Sequence, residues 1–230
     1  MKTLVIIPAY NEEANIKQLL LLLKQISGVD LLVINDHSKD KTSLICHEEG
    51  ANIIDLPCNL GIGGAVQTGY KYASIKGYDF AVQVDGDGQH NPQYIKSLIQ
   101  PLIEKKADLV IGSRYINKEG FQSTFLRRVG INYFSKLLKI LSKQEITDPT
   151  SGFRACNRNI INLFSSYYPM DYPEPESIVH AKRKGFVVKE IPVVMNERIG
   201  GVSSIRSFKS IYYMIKVSFA ILFDLMRKQY

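Results

Sequence analysis

The stretch VQVDGDGQHNP, Val82 to Pro92, decides the fold. An apolar run that begins at Phe80 ends in two aspartates one glycine apart, followed by Gln89 and His90. A strand feeding a buried parallel sheet is expected to be apolar along its length, so carboxylates at its end need a reason. Strand side chains alternate, which puts Asp85 and Asp87 on one side of the extended chain. Gly86 between them lets a ligand approach the backbone. Hard divalent cations such as Mg²⁺ or Mn²⁺ take one or two carboxylates together with phosphate oxygens. The pair therefore reads as the site of a metal-bridged diphosphate; the alternative is a solvated turn whose Asp caps the next helix. Termination of an apolar strand, and the further donors Gln89 and His90, favour the first.

Outward from that strand, short apolar runs alternate with helical patterns. Strands are expected over Leu4–Pro8, Leu31–Asn35, Asn52–Asp55, Phe80–Val84 and Leu109–Ile111, and helices near Glu12–Ile26, Thr42–Glu49, Gly64–Lys76 and Pro92–Glu104. This order implies an α/β fold with a mainly parallel sheet flanked by helices. Ligands of such sheets bind at the carboxyl ends of the strands, which singles out PAYNEE (8–13), NDHSKDKT (35–42), NLGIGGA (59–65) and DGDGQH (85–90). PAYNEE lacks the glycines of a dinucleotide-binding loop. Gly61, Gly63 and Gly64 read as close backbone packing rather than phosphate contact. Beyond residue 113 the alternation weakens to a basic amphipathic helix over Phe125–Leu141, the turn-like TDPTSGFRA, and the proline-rich PMDYPEPES ahead of another helix. The strand Phe186–Val194 and a last helical stretch from about Ser207 to Arg227 follow.

The chain carries 29 Lys and Arg against 22 Asp and Glu, a net charge of +7, with 45% hydrophobic residues. Such a balance suits nucleic acid, an anionic membrane surface or phosphate-bearing substrates. The basic residues interleave with aliphatics in helices, not with the exposed aromatics of a base-stacking platform, so nucleic acid is not expected. Cys46, Cys58 and Cys156 are widely spaced and odd in number, which favours a reducing, cytoplasmic setting. MKTLVIIPAYNEE lacks a leader's cleavage pattern, and no stretch reaches the roughly 20 apolar residues of a membrane span.

Seven motifs in order across nearly the whole chain resemble the family 2 glycosyltransferases with the GT-A fold: PAYNEE, NDHSKDKT, NLGIGGA, VDGDGQH (84–90), GSRY (112–115), DPTSGFRA (148–155) and RIGGVSS (198–204). The branch most like it makes polyprenyl- or dolichyl-phosphate mannose and glucose. The resemblance implies a nucleoside-diphosphate-sugar donor, with Pro8, Tyr10, Glu12 and Ile34 lining the base and ribose pocket and Asp36 bonding the base. It places Asp85 and Gly86 on the ribose side and assigns Mg²⁺ or Mn²⁺ to Asp85, Asp87 and Gln89. Arg114 and Arg198 would neutralise the diphosphate, with Ser203 donating nearby. One departure stands out. The second motif usually has two acids and a glycine, where this chain has Asn35, Asp36 and His37, which leaves the base undetermined. His37 and His90 read as loop residues rather than catalysts.

The resemblance further implies inversion at the anomeric carbon. A lipid-phosphate acceptor is already an anion near neutral pH, its second pKa being roughly 6, and needs no strong base. A sugar-hydroxyl acceptor needs a carboxylate; Asp148 is the candidate, with Glu174 or Glu176 behind it, though Asp148 serves equally as a turn cap before Pro149. Residues 1–204 form the expected catalytic domain, and 205–230 an apolar helix with one basic stripe. That helix is read as lying at the membrane interface or docked on a membrane protein, with packing on the chain's own sheet or on a second subunit of a homo-oligomer as the alternative. Arg127 and Arg128 would extend the basic face and dock the acceptor phosphate. The expected location is peripheral, on the cytoplasmic inner face of the membrane. A nucleotide-sugar binding protein without catalysis is the reading from a different class, and the intact D-G-D and R-x-x-G-x-S segments speak against it.

Overall fold

The apolar runs become the strands of one seven-stranded sheet in the order β3-β2-β1-β4-β6-β5-β7. The strands are β1 (Thr3–Ala9), β2 (Asp30–Asn35), β3 (Ile53–Asp55), β4 (Phe80–Gln83), β5 (Leu109–Ser113), β6 (Arg154–Asn157) and β7 (Val188–Pro192). Only β6 runs against its neighbours; the pairs β1–β2, β1–β4, β2–β3 and β5–β7 are parallel. The computed structural model describes residues 1–120, 125–142, 145–170, 173–197 and 218.

All seven residues of β1 are buried because helices cover both faces of the sheet. Its side chains alternate between two cores. Leu4 and Ile6 join Tyr70, Phe134, Phe164 and Ile178 on one face, while Val5 and Ile7 join Leu19, Leu20, Leu98 and Ile99 on the other. The first core belongs to α3 (Gly61–Ile75), α5 (Phe125–Ser142), α6 (Arg158–Ser166) and α7 (Pro173–Arg183). The second belongs to α1 (Ile16–Leu23) and α4 (Ile95–Ile103), with Cys46 from α2 (Thr42–Glu48). The spacing of Ile16, Leu19, Leu20 and Leu23 gives α1 its buried stripe. Truncating such a residue, Leu20→Ala for instance, removes about 2–5 kcal/mol of stability.

Two expectations change here, and one holds. TDPTSGFRA is a loop only as far as Phe153; Arg154 opens β6, and α6 follows at once. PEPES does not precede a helix but forms the first turn of α7, where a proline's missing N–H goes unnoticed. The glycines of α3 do pack closely. A Cβ on Gly63 would lie 2.1 Å from the Pro169 carbonyl oxygen, and the Gly63 N–H donates to Met170 O at 3.0 Å.

The expected C-terminal helix over 205–230 lies outside the described residues except Ser218, whose Oγ is 2.9 Å from Tyr133 Oη on α5. Among the described residues no helix is long and apolar enough to cross a membrane.

Candidate active site

The parallel strands β2, β1 and β4 bring PAYNEE, NDHSKDKT and DGDGQH to one edge of the sheet. The first two loops are tied together. Asn11 N–H donates to Ser38 Oγ (3.0 Å), Glu12 N–H to Thr42 Oγ1 (2.8 Å), and Lys39 N–H to Asn11 Oδ1 (2.7 Å). Asp36 is buried and its N–H donates to Ala9 O at 2.9 Å. One carboxylate oxygen accepts the Leu60 N–H at 2.7 Å, which locks NLGIGGA onto the end of β2. Pro8 and Asp36 thus meet at one place, with Tyr10 exposed beside them. Glu12 is buried and accepts from Asn15 Nδ2 at 2.8 Å. Ile34 is fully buried in the core shared with α3; it lies two residues before Asp36, on the same side of the chain and one step deeper in the sheet.

The D-G-D loop is fitted to its neighbours by two glycines. A Cβ on Gly86 would stand 3.0 Å from Pro8 O, and one on Gly152 would stand 2.6 Å from Asp85 Oδ2. DPTSGFRA therefore presses its backbone against the first aspartate. Asp85 stays one-third exposed, and its Oδ1 accepts from Gln83 Nε2 at 3.1 Å. His90 is buried and stacked on Phe153, with ring centroids 4.8 Å apart. Its Nδ1 accepts the Asp85 N–H at 3.0 Å, so His90 shapes the loop from below. Asp87 Oδ1 accepts the Gln89 N–H at 3.1 Å, and Gln89 is joined to Asn196 by an N–H···O bond of 2.9 Å. Asp85, Asp87 and the Gln89 amide offer hard oxygen donors, a set that fits Mg²⁺ or Mn²⁺ completed by phosphate and water. Among the described residues no cluster of three or more His, Cys, Asp or Glu side chains forms a closed metal cage.

Across β6, at the end of β5, Arg114 is buried and forms a forked pair with Asp148: Nε to Oδ2 at 2.6 Å and Nη2 to Oδ1 at 2.8 Å. Burial alone would lower the Arg114 pKa, but the hydrogen bonds and charge of Asp148, helped by the charges of Tyr115 and Asp85, raise it. Asp148 is fully buried and also accepts the Arg114 N–H at 3.2 Å. Both Asp148 oxygens are engaged by Arg114, which supports the structural role that the sequence left open beside that of a general base. Arg114 keeps Nη1 for a further acceptor among the described residues.

Glu190 of β7, which no motif pointed to, holds this pair from behind. It accepts the N–H groups of Thr147 (2.7 Å) and Asp148 (2.8 Å) and the Thr147 hydroxyl (3.0 Å). Burial pushes its carboxyl up, partly offset by those bonds. A second unforeseen residue is Arg154, fully buried on β6. Its partners are all neutral oxygens: Ser151 O at 2.6 and 3.1 Å, Ser177 Oγ at 2.9 Å and Glu174 O at 3.4 Å. An acid inside a strand and a cation inside a core break the alternation rule, and that breach was the available signal.

Of the remaining expected residues, Arg198 and Ser203 lie outside the described residues, as does the side chain of Arg127. Arg128 is exposed on α5. Glu174 and Glu176 stand in the first turn of α7.

A D-x-D loop at the carboxyl edge of parallel strands is the arrangement expected of the class, and the chain belongs to glycosyl transferase family 2, whose profile matches residues 4–164. It is an enzyme of the glycosyltransferase class with the GT-A architecture. The chain is 32% identical to the UDP-N-acetylglucosamine–dolichyl-phosphate N-acetylglucosaminyltransferase of Methanococcus voltae, over 82% of this chain and 83% of that protein. It is 29% identical to the polyprenol monophosphomannose synthase of Mycolicibacterium smegmatis, over 94% and 86%. The fold superposes with a TM-score of 0.73 on glucosyl-3-phosphoglycerate synthase from Mycobacterium tuberculosis in complex with Mn²⁺, UDP and phosphoglyceric acid, at 20% identity, covering 97% of this chain and 78% of that one.

Proposed function

We propose that the chain transfers a sugar from a nucleoside-diphosphate sugar to a polyprenyl phosphate, with inversion, at the inner face of a membrane. The observation that carries this reading is the state of the acids at the Arg114 end. Adjacent strands lie about 4.8 Å apart, so Arg114 stands roughly 10 Å from the end of β4, on the side away from Asp36. Base, diphosphate and acceptor would be laid along the edge in that order. This moves Arg114 from the diphosphate, its expected partner, to the acceptor side. There the fold offers a cation with one free nitrogen, while Asp148 and Glu190 are both closed on protein donors. An acceptor hydroxyl would need a base that those acids do not provide; an acceptor phosphate brings its own negative charge.

In the proposed reaction an acceptor phosphate oxygen, held by Arg114 Nη1, attacks the anomeric carbon as the bond to the β-phosphate oxygen breaks. The nucleoside diphosphate leaves with the electron pair. Pro8, Tyr10 and Asp36 hold the base, and Asp85, Asp87 and Gln89 would hold Mg²⁺ or Mn²⁺. When bound, that cation supplies charge for the leaving diphosphate; Arg198 is proposed to add to it, with Ser203 nearby. Arg128, Lys136 and Lys139, exposed on α5 beside the exposed Val129, Tyr133 and Ile140, support an approach to an anionic lipid surface. Arg127 is proposed to share the acceptor phosphate with Arg128.

The test is transfer from a panel of nucleoside-diphosphate sugars, with Mg²⁺ or Mn²⁺, to a short-chain polyprenyl phosphate or to the corresponding polyprenol and free sugars. Product with the phosphate alone is expected. Product with hydroxyl acceptors alone would overturn the reading.

A further inference from the structure

Glu190 is an acid in the middle of a strand, paired across from Ile111 in parallel register. Among the described residues its bonds carry no cation: they run to two consecutive backbone N–H groups and one hydroxyl. A half-buried carboxylate that meets no counter-ion among the described residues is costly to keep, and all three of its bonds go to the Thr147–Asp148 segment. That peptide joins Thr147 to Asp148, the residue whose two oxygens take Nε, Nη2 and the backbone N–H of Arg114. Because a guanidinium is a rigid fork, fixing Nε and Nη2 fixes the direction of Nη1.

We propose that Glu190 is a positioning residue for the acceptor anion: it clamps the Thr147–Asp148 peptide so that Asp148 aims Arg114 Nη1 at the acceptor's negatively charged oxygen. The assignment rests on the acceptor reading above, but the clamp itself is a statement about Arg114. Thr147 is held a second time, its hydroxyl lying 2.6 Å from Ser113 Oγ, next to Arg114 in the chain. The loop is therefore gripped from β5 and from β7, and only the β7 grip is a carboxylate. Its raised pKa, caused first by burial, agrees with an acid kept at this place against its solvation.

The experiment uses the full chain with Glu190→Gln, which keeps one acceptor oxygen, and Glu190→Ala, which keeps none. With a polyprenyl phosphate as the varied substrate, the acceptor KM is expected to rise about 3- to 10-fold in the first, the equivalent of one net hydrogen bond, and further in the second. Affinity for the nucleoside diphosphate should stay within about twofold, since Asp36 and the D-G-D loop are untouched. In an Arg114→Lys background the Glu190 substitutions should add nothing to the acceptor KM. A merely structural Glu190 would lower the melting temperature and leave the acceptor KM alone, and that result overturns the proposal. So does an equal loss on both substrates.

A second readout does not depend on the acceptor. The Arg114 Nε–H resonance, held by Asp148, should exchange with solvent faster in Glu190→Gln than in the native chain. Unchanged exchange defeats the clamp whatever the acceptor proves to be, whereas faster exchange in a chain that ignores polyprenyl phosphate defeats only the acceptor reading. Should Glu190→Ala not fold, Glu190→Gln carries both measurements.

Discussion

At the β1–β4 end of the ligand edge, Asp85 and Asp87 are held by neutral donors (a Gln83 amide and the Gln89 N–H), and Asp85 remains one-third exposed. At the β5–β7 end, Asp148 is fully buried against Arg114 and Glu190 is bonded to a peptide. The three aspartates lie just beyond or beside strand ends, whereas Glu190 sits in the middle of β7. What separates Asp148 from the D-G-D aspartates is the buried guanidinium closed on it. An acid already neutralised by a buried guanidinium has become part of the scaffold.

The sharpest way to break this contrast is to make the same change at both ends. Asp87→Asn should lower turnover by about 10²–10³-fold, the scale of lost electrostatic stabilisation, with the melting temperature unmoved. Asp148→Asn should instead destabilise the fold by about 3–5 kcal/mol, because a buried cation loses its partner. Kinetics and thermal unfolding of the two variants check this together, and a stable, inactive Asp148→Asn would restore its role as a base. Gly152→Ala comes next in size. The new Cβ would stand 2.6 Å from Asp85 Oδ2, and displacing that carboxylate should weaken Mg²⁺-dependent nucleoside diphosphate binding by about 10-fold or more. Titration calorimetry with and without Mg²⁺ reads it; equal losses in both would mean that the loop, not the carboxylate, had moved.

The smallest effect is one of pH, and the two ends should differ in sign. Burial would raise the Asp55 carboxyl, but hydrogen bonds from Asn35, Ser43 and His47 outweigh it and hold it low. Its contribution to stability is present above the ordinary Asp value of about 4 and is lost as pH falls through the depressed folded one. Glu190 is raised, so its contribution is present below about 4.3 and fades as pH climbs through the folded value. Amide exchange between pH 3 and 6 should therefore show β2 and β3 loosening in acid while β7 tightens. Parallel changes in both would refute the assignment.

Much of the edge was legible because parallel strands are apolar throughout and their loops are not: VIIPAYNEE and FAVQVDGDG each show the change within a few residues. The β5–β7 end was harder for a physical reason. Asp148 and Arg114 are 34 positions apart, and local pattern is blind to a partner that only the antiparallel strand β6 brings near. That strand is four residues long and opens with a buried arginine, so RACN reads as the end of a turn. Glu190 was hidden in the same way, since an acid in a strand ordinarily means a solvent face.

Arg154 has a consequence of another kind. Its guanidinium is bonded to the Ser151 carbonyl, next to Gly152, whose backbone presses on Asp85, so an interior cation stands beside the loop that meets the D-G-D pair. An arginine does not discharge in the pH range where proteins work. The floor of the site is consequently a fixed positive source, present before any ligand enters and after every product leaves. Two neighbouring carboxylates repel each other when nothing lies between them, and a loop relying on an arriving cation to relieve that strain would spring open at each release. A charge built into the sheet beside that loop is expected to damp the repulsion and so to help the empty site keep its shape.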